Sequence, residues 1–450
     1  MERASTASIR AARILLAGLF AINVYRAATV SITPPEAATY NRFVGPEWRD
    51  ALSLTTANNH VFYTLLARLS TSAFHLTDLA LRLPSLLGCA LYFWAVFRLA
   101  RRNFACAPLF LAAVALLALN PLVLDYFSMA RGYGLALAFW MCSLQLILEC
   151  DTGSKLNLAG ICMGLSISCN LAFVVPAVAL GMAFSFSPSA GPVSVRLEKL
   201  WLPAFLTAFL VLVIPLNHMD WHTFQQGATS LRQTLNSLTA LSLYHENPAR
   251  LPIWLAIVAR WIAGILAVLS VITGLIGAHR LGWLMAGTIA GGFIALEVGH
   301  RWLRLPFPLG RSGLYFIPVL TLAALALVQR IDWKPLEWAL LGASCVYLFG
   351  LNMNWYAEWP EFAHAREAIK AIRQDAGNGF PRVGASAGWA EVLNYYRSRY
   401  GLRLWPPVAA DPHGSVDYYV LDRDRAGLAI DRHLQLIWQD GNVVVARSSR

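Results

Sequence analysis

Charge is what this chain has least of. Asp, Glu, Lys and Arg make up 14% of its 450 residues, against about 25% in an ordinary soluble protein. With 57% hydrophobic residues to cover, so few charges exclude a water-soluble globular protein of this length. Acids are scarcer than bases, 25 against 36, for a net charge of +11. In a soluble chain that excess would suggest a nucleic acid partner. Here many of the bases lie between apolar blocks, where they report membrane topology instead, and no nucleic acid partner is expected. Cysteine is sparse as well. Cys89, Cys106, Cys142, Cys150, Cys162, Cys169 and Cys345 all fall in or beside apolar blocks. Their spacing matches neither a zinc nor a redox motif, which excludes a disulfide framework. Internal repeats and low-complexity runs are also missing.

What is present is a series of nearly uncharged apolar blocks. Each is close to the ~20 residues needed to cross ~30 Å of hydrocarbon at 1.5 Å per residue. They predict about eleven spans, at 10–28, 82–99, 105–122, 132–149, 156–170, 171–187, 200–216, 253–277, 281–298, 313–329 and 337–353. Asn170 divides the fifth from the sixth, and Pro176 tolerates a kink. The first block follows Arg3, Arg10 and Arg13 without a small-residue cleavage site, and reads as a retained helix. With the N-terminus cytoplasmic, the inner loops carry Arg98, Arg101, Arg102, Lys155, Arg196, Lys199, Arg280, Arg330 and Lys334. The outer segments 29–81, 123–131, 217–252, 299–312 and 354–450 then hold nearly all the acids, aromatics and histidines suited to chemistry. An odd number of spans puts the tail outside with them.

Two outer segments have structure of their own. Asn59 to Phe74 sets Val61, Leu65, Leu66 and Leu69 on one helical face, as in a helix lying on a membrane surface. The tail reads as a small α/β domain. It has helices over 361–375 and 389–400, strands over 382–387 and 417–421, and a hairpin over 434–446 turning at Asp440-Gly441. The expected fold is therefore a polytopic α-helical membrane module over 1–353, followed by a C-terminal exoplasmic α/β domain over 354–450.

Five groups on the outer face carry residues suited to chemistry. Glu36, in Pro34-Pro35-Glu36, offers a general base or a solvated carboxylate. Asn58-Asn59-His60 offers a helix cap or a ligand-binding imidazole. Asp125 and Arg131, with Tyr126 and Tyr133, sit at the outer rim, where ionisable groups are paired or functional. His218, Asp220 and His222 could supply ligands to a divalent metal. Arg301, Arg304 and Arg311 run against the topological bias and present forks suited to phosphate. Each group is weak alone; together they describe an outer-leaflet cavity with two acids and several arginines.

The order of these motifs resembles the C-fold (GT-C) glycosyltransferase superfamily, near the protein O-mannosyltransferases and lipid A aminoarabinose transferases. The similarity runs through Pro35-Glu36-Ala37-Ala38-Thr39-Tyr40, then Asn59-His60 with Tyr63 and Leu65-Leu66, then Arg82-Leu83-Pro84-Ser85-Leu86. It continues through Asn120-Pro121, Asp125, Ala130-Arg131-Gly132-Tyr133 and Pro308-Leu309-Gly310-Arg311, covering most of 10–320. The resemblance implies inverting transfer of a sugar from a polyprenyl-phosphate donor to a glycan, lipid or protein acceptor. Glu36 or Asp125 would be catalytic. Asn59, His60, Tyr126, Arg131, Tyr133, Arg301, Arg304 and Arg311 would bind substrate, among membrane lipids of a bacterial inner membrane. The family's first acid falls on Pro35, which leaves Glu36, Asp50 or Asp125 to serve, or a degenerate protein that binds lipid-linked sugar or scaffolds envelope assembly. A transporter would need broken helices and midplane polar residues in two repeated halves. Apart from Arg260 and Glu297 these are lacking.

Overall fold

The computed structural model describes residues 5–149, 153–187, 192–224, 226–243, 253–276, 279–411, 415–422, 434–440 and 443–448. The chain opens with α1 (Thr6–Thr29). The short α2 (Pro34–Thr39) and α3 (Trp48–Ala51) follow, then α4 (Val61–Phe74), α5 (Asp78–Asn103), α6 (Ala107–Ala118) and α7 (Pro121–Ser128). Next come α8 (Gly132–Leu148), α9 (Gly153–Cys169), α10 (Val174–Ser185), α11 (Val193–Arg196), α12 (Leu202–Asn217) and α13 (Leu231–Ser242). The helical series closes with α14 (Ile253–Ile276), α15 (Arg280–Leu303), α16 (Phe316–Ile331) and α17 (Lys334–Ser344).

Every apolar block contains helix, but fewer helices pass as membrane spans than the eleven expected. Among the described residues five are long and apolar enough: Thr6–Thr29, Asp78–Asn103, Val193–Asn217, Arg280–Leu303 and Gly310–Ile331. A sixth joins if the bent pair α6–α7 counts as one. Two local breaks shorten the helical runs. The side chain of Asn120 caps α7, accepting from the Val123 N–H at 3.2 Å, and Pro121 opens that helix, so the pair bends by 52°. At Asn170 the side chain accepts from the Ala172 N–H at 2.9 Å and starts a short 3-10 turn before α10. The boundary read from Asn170 is therefore a cap.

The chain divides into two compact units. The first comprises Met1–Val24, Ser53–Tyr63 and Pro84–Leu351. In it α8 packs on α9, α9 on α12, α10 on α15, and α14 on both α15 and α16. The second comprises Tyr25–Leu52, Thr64–Leu83 and Asn352–Arg450, so it takes in first-loop segments as well as the tail.

In the tail, α18 (Ala365–Ala376), β1 (Val383–Ala385), α19 (Ala387–Arg399), β2 (Tyr418–Asp422), β3 (Gln435–Asp440) and β4 (Val443–Arg447) follow in order. The sheet runs β1-β2-β4-β3, with β1 parallel to β2 and the other pairs antiparallel. Val420 and Val445 pair across β2 and β4, and both are buried. Of the expected hairpin turn, Gly441 and Asn442 lie outside the described residues. Within the same unit α19 packs on α2, where Asn41 and Arg42 both bond Glu391.

Candidate functional site

In the first unit the segments before α4 and between α7 and α8 converge. Arg131 stands at the N-cap of α8, with extended backbone. Its guanidinium donates to the Asn58 side-chain oxygen at 3.1 Å and to the Asn58 carbonyl at 3.4 Å. Asn59 donates in turn to the Ser53 carbonyl at 2.5 Å. That bond fixes the loop and delivers His60, just before α4, into the interior. The His60 ring meets Tyr133 edge-on at 4.9 Å, and Tyr133 meets Tyr126 at 5.1 Å. Asp125, beside Tyr126 on α7, is also buried.

Glycine makes this convergence possible. A Cβ on Gly132 would lie 2.2 Å from the Cys169 carbonyl oxygen and 2.7 Å from the His60 Cβ. One on Gly134 would lie 2.2 Å from the Tyr126 carbonyl oxygen. Contacts this short exclude any side chain, so Gly-Tyr-Gly lets the start of α8 nestle against its neighbours.

His60 is among the groups the packing leaves unsatisfied. It is buried, and among the described residues its Nε2 has no hydrogen-bond partner. Burial, with the positive charges of Arg131 and Arg311 added, holds its imidazole well below the ordinary histidine value of 6.5. The ring is therefore neutral at neutral pH, with one nitrogen able to accept and the other to donate. Arg311 comes from the short turn Gly310–Gly313 before α16. That loop is pinned by the Gly310 N–H donating to Ser237 Oγ at 3.0 Å, and by Thr234 Oγ1 donating to the Pro308 carbonyl at 2.6 Å. Phe307 and Ala228 exchange backbone bonds at 2.7 and 2.9 Å.

The second unit treats its acid differently. Glu36 and Arg82 are 0% exposed and form a two-pronged ion pair: Arg82 Nε to Glu36 Oε1 and Nη2 to Oε2, both 2.8 Å. The Thr33 N–H and Oγ1 each donate to Glu36 Oε2 at 2.9 Å. Arg82 also donates to the carbonyls of Ala27, Val30 and Ser31. Both carboxylate oxygens of Glu36 are thus engaged in holding the loop after α1. Nearby on α5, buried Asp78 accepts from Arg366 and Arg399, each at 2.6 Å, and from the Tyr395 hydroxyl at 2.9 Å. Burial, then the Asp78 charge, keeps Tyr395 protonated well above its ordinary range.

The remaining candidates do not join either cluster. Arg301 is 73% exposed and pairs with Glu297 along α15. Arg304 is exposed at the left-handed end of that helix. Asp50 lies partly exposed on α3. Among the described residues no three His, Cys, Asp or Glu side chains gather as a metal site. His218, Asp220 and His222 are exposed, and Asp220 accepts from the His222 backbone N–H at 3.0 Å, as in an ordinary turn. The sequence reading gave no chemical role to Asn58, Arg82 or Asp78. An arginine four residues into an apolar helix was the available signal for Arg82, because a charge there needs a partner.

No protein-family model and no curated protein matches the chain. Among solved structures, apo ArnT from Cupriavidus metallidurans aligns over 96% of this chain and 97% of its own, at 13% identity and a TM-score of 0.56. ArnT bound to undecaprenyl phosphate aligns over 98% of both chains, at 16% identity and a TM-score of 0.45. The arabinosyltransferase EmbB from Mycobacterium smegmatis aligns over 73% of this chain and 31% of its own, at 14% identity and a TM-score of 0.41. At these identities the likeness is one of fold, and with its long apolar helices the chain is an integral membrane protein with the fold of the GT-C membrane glycosyltransferases.

Proposed function

We propose that the chain is an inverting glycosyltransferase of the exoplasmic membrane face, moving a sugar from a polyprenyl-phosphate donor to an envelope glycan, lipid or protein. The observation that carries this reading is buried Arg131 at the N-terminus of α8 with buried, neutral His60, joined by half-buried Arg311, whose charge reaches His60. A helix N-terminus and two guanidinium groups suit a phosphate that gains charge as it leaves.

In the reaction, the acceptor oxygen bonds to the anomeric carbon from the face opposite the phosphate. The carbon–oxygen bond to phosphate breaks, and its electron pair leaves with polyprenyl phosphate. The acceptor proton passes to a base. Asp125, buried on α7 beside Tyr126, takes that role. His60 orients the acceptor hydroxyl through its open nitrogen. Tyr126 and Tyr133 wall the sugar. The N-terminus is cytoplasmic and the tail domain outside, at a bacterial inner membrane.

The test is release of polyprenyl phosphate from a panel of polyprenyl-phosphate sugars by the purified protein. Asp125→Asn and Arg131→Ala are each expected to slow release about 100-fold or more, and His60→Ala to raise KM for the acceptor. A second reading draws on Pro35 and on the engagement of Glu36: a degenerate relative that binds the lipid-linked sugar without turnover. Binding without release across the panel would select it.

A further inference from the structure

At the end of the first unit's bundle away from Arg311 lies a cavity that the proposed reaction does not use. Helix α16 starts just after Arg311 and runs to Ile331, while α14 ends and α15 begins beside its far end. Between these three helices is a space of about 420 Å³, within the usual range for a small-molecule site. Its inner wall is apolar, from Gly274, Gly282, Ala323 and Leu327. Its polar groups are Ser270, Thr273, His279, Gln329 and Arg330.

Three of these polar groups have hydrogen-bonding capacity left over. Ser270 is 4% exposed, yet its Oγ has no hydrogen-bond partner among the described residues. Gln329 donates through Nε2 to the Asn103 carbonyl at 2.6 Å, and its buried Oε1 has no partner among the described residues. Among the described residues Arg330 is held by one nitrogen, Nη1 on the Thr273 carbonyl at 2.6 Å, and the residue is exposed. The site thus offers a cation, a hydroxyl and an amide oxygen that needs a donor. Around it Ile272, Ile331 and Trp333 are half or more solvent-accessible, on or beside helices of a membrane protein, so the neighbouring phase is lipid. Basic pockets between helix ends are where anionic headgroups bind.

We propose that this cavity binds an anionic phospholipid with a hydroxyl-bearing headgroup, of the phosphatidylglycerol type. Its phosphate meets Arg330, a headgroup hydroxyl donates to Gln329 Oε1, Ser270 donates to a headgroup oxygen, and the upper acyl chain lies on the wall formed by Ala323 and Leu327.

The test is native mass spectrometry of the full-length protein, loaded with equal amounts of dioleoyl-phosphatidylglycerol and dioleoyl-phosphatidylcholine. The wild type is expected to retain one more phosphatidylglycerol than phosphatidylcholine. Arg330→Ala combined with Gln329→Leu is expected to weaken that retention about tenfold. Gly282→Leu should abolish it by filling the cavity, since a Cβ there meets only Gly274 Cα, at 3.9 Å. Arg131→Ala should keep the lipid. Equal retention of the two lipids, retention unchanged in Arg330→Ala/Gln329→Leu, or loss in Arg131→Ala would each overturn the proposal. So would displacement by excess inorganic phosphate, because a site defined by headgroup and chain together does not release a lipid to the free anion.

Discussion

Glu36 in the second unit and His60 in the first are buried in opposite ways. In the second, Glu36 and Arg82 satisfy each other, and their remaining valences go to Thr33 and three backbone carbonyls. Asp78 is likewise saturated by two arginines and a tyrosine. In the first, His60 is equally deep, yet its Nε2 is left open between an aromatic ring and the charges of Arg131 and Arg311. A burial that closes every bond fixes a shape. A burial that leaves a bond open, at a cost of roughly 1–3 kcal/mol, keeps a place for something else. The contrast sets a paired carboxylate beside an imidazole with one nitrogen open, although both were candidates on the outer face.

The largest effect that would sharpen this contrast is expected at Glu36. Glu36→Ala should strand the Arg82 charge in the interior and cost about 3–5 kcal/mol, read as a loss of thermal stability in detergent. The double variant Glu36→Leu/Arg82→Met should recover most of it, since an apolar pair can replace a buried ion pair. If stability returns while sugar transfer does not, Glu36 has a chemical role and the contrast breaks. Asp78→Asn should follow at about 2–4 kcal/mol, leaving Arg366 and Arg399 short of a counter-charge.

Gly132→Ala should cost about 1–3 kcal/mol, because the Cys169 carbonyl oxygen lies where the new methyl group would go. It should also lower donor binding by moving the start of α8.

The pH dependence of His60 is smaller and has a definite sign. Its folded pKa lies below the unfolded value of about 6.5. As pH falls through that value, the unfolded chain gains a proton that the folded chain refuses, and stability drops. Above it, the contribution is flat. His60→Phe should remove this decline in a pH series of melting temperatures; an unchanged decline would mean that His60 is not the group held neutral. The smallest effect is expected at Arg301→Ala, within about 0.5 kcal/mol in stability and without change in activity, because its pair with Glu297 is exposed.

Hydropathy placed a helix in every apolar block and the tail's helices and strands near their observed positions. Length and charge content are enough for that, since a bilayer leaves the backbone few alternatives. The same signal does not show where capping chemistry breaks a block. Asn120-Pro121 and Asn170 carry little hydropathic weight, yet each ends a helix. Of the site, the sequence placed His60, Asp125, Arg131 and Arg311 in one class with Glu36, Arg301 and Arg304. All are polar groups in outer segments, and nothing in one dimension separates a paired group from an open one.

What the sequence alone determined, then, was the solvent this protein lives in, the helical content that solvent demands, and the set of residues with chemistry to offer. Those follow from composition and spacing, which are properties of the chain itself. The tertiary structure decided the partners. It gave Glu36 to Arg82, Asp78 to the arginines and tyrosine of the tail, and Arg131 to Asn58, and left His60 Nε2 without one. Hydrogen bonds and ion pairs act over about 3 Å. Which groups come that close is settled by how helices far apart in sequence pack, and only that closeness divides a clamp from a site.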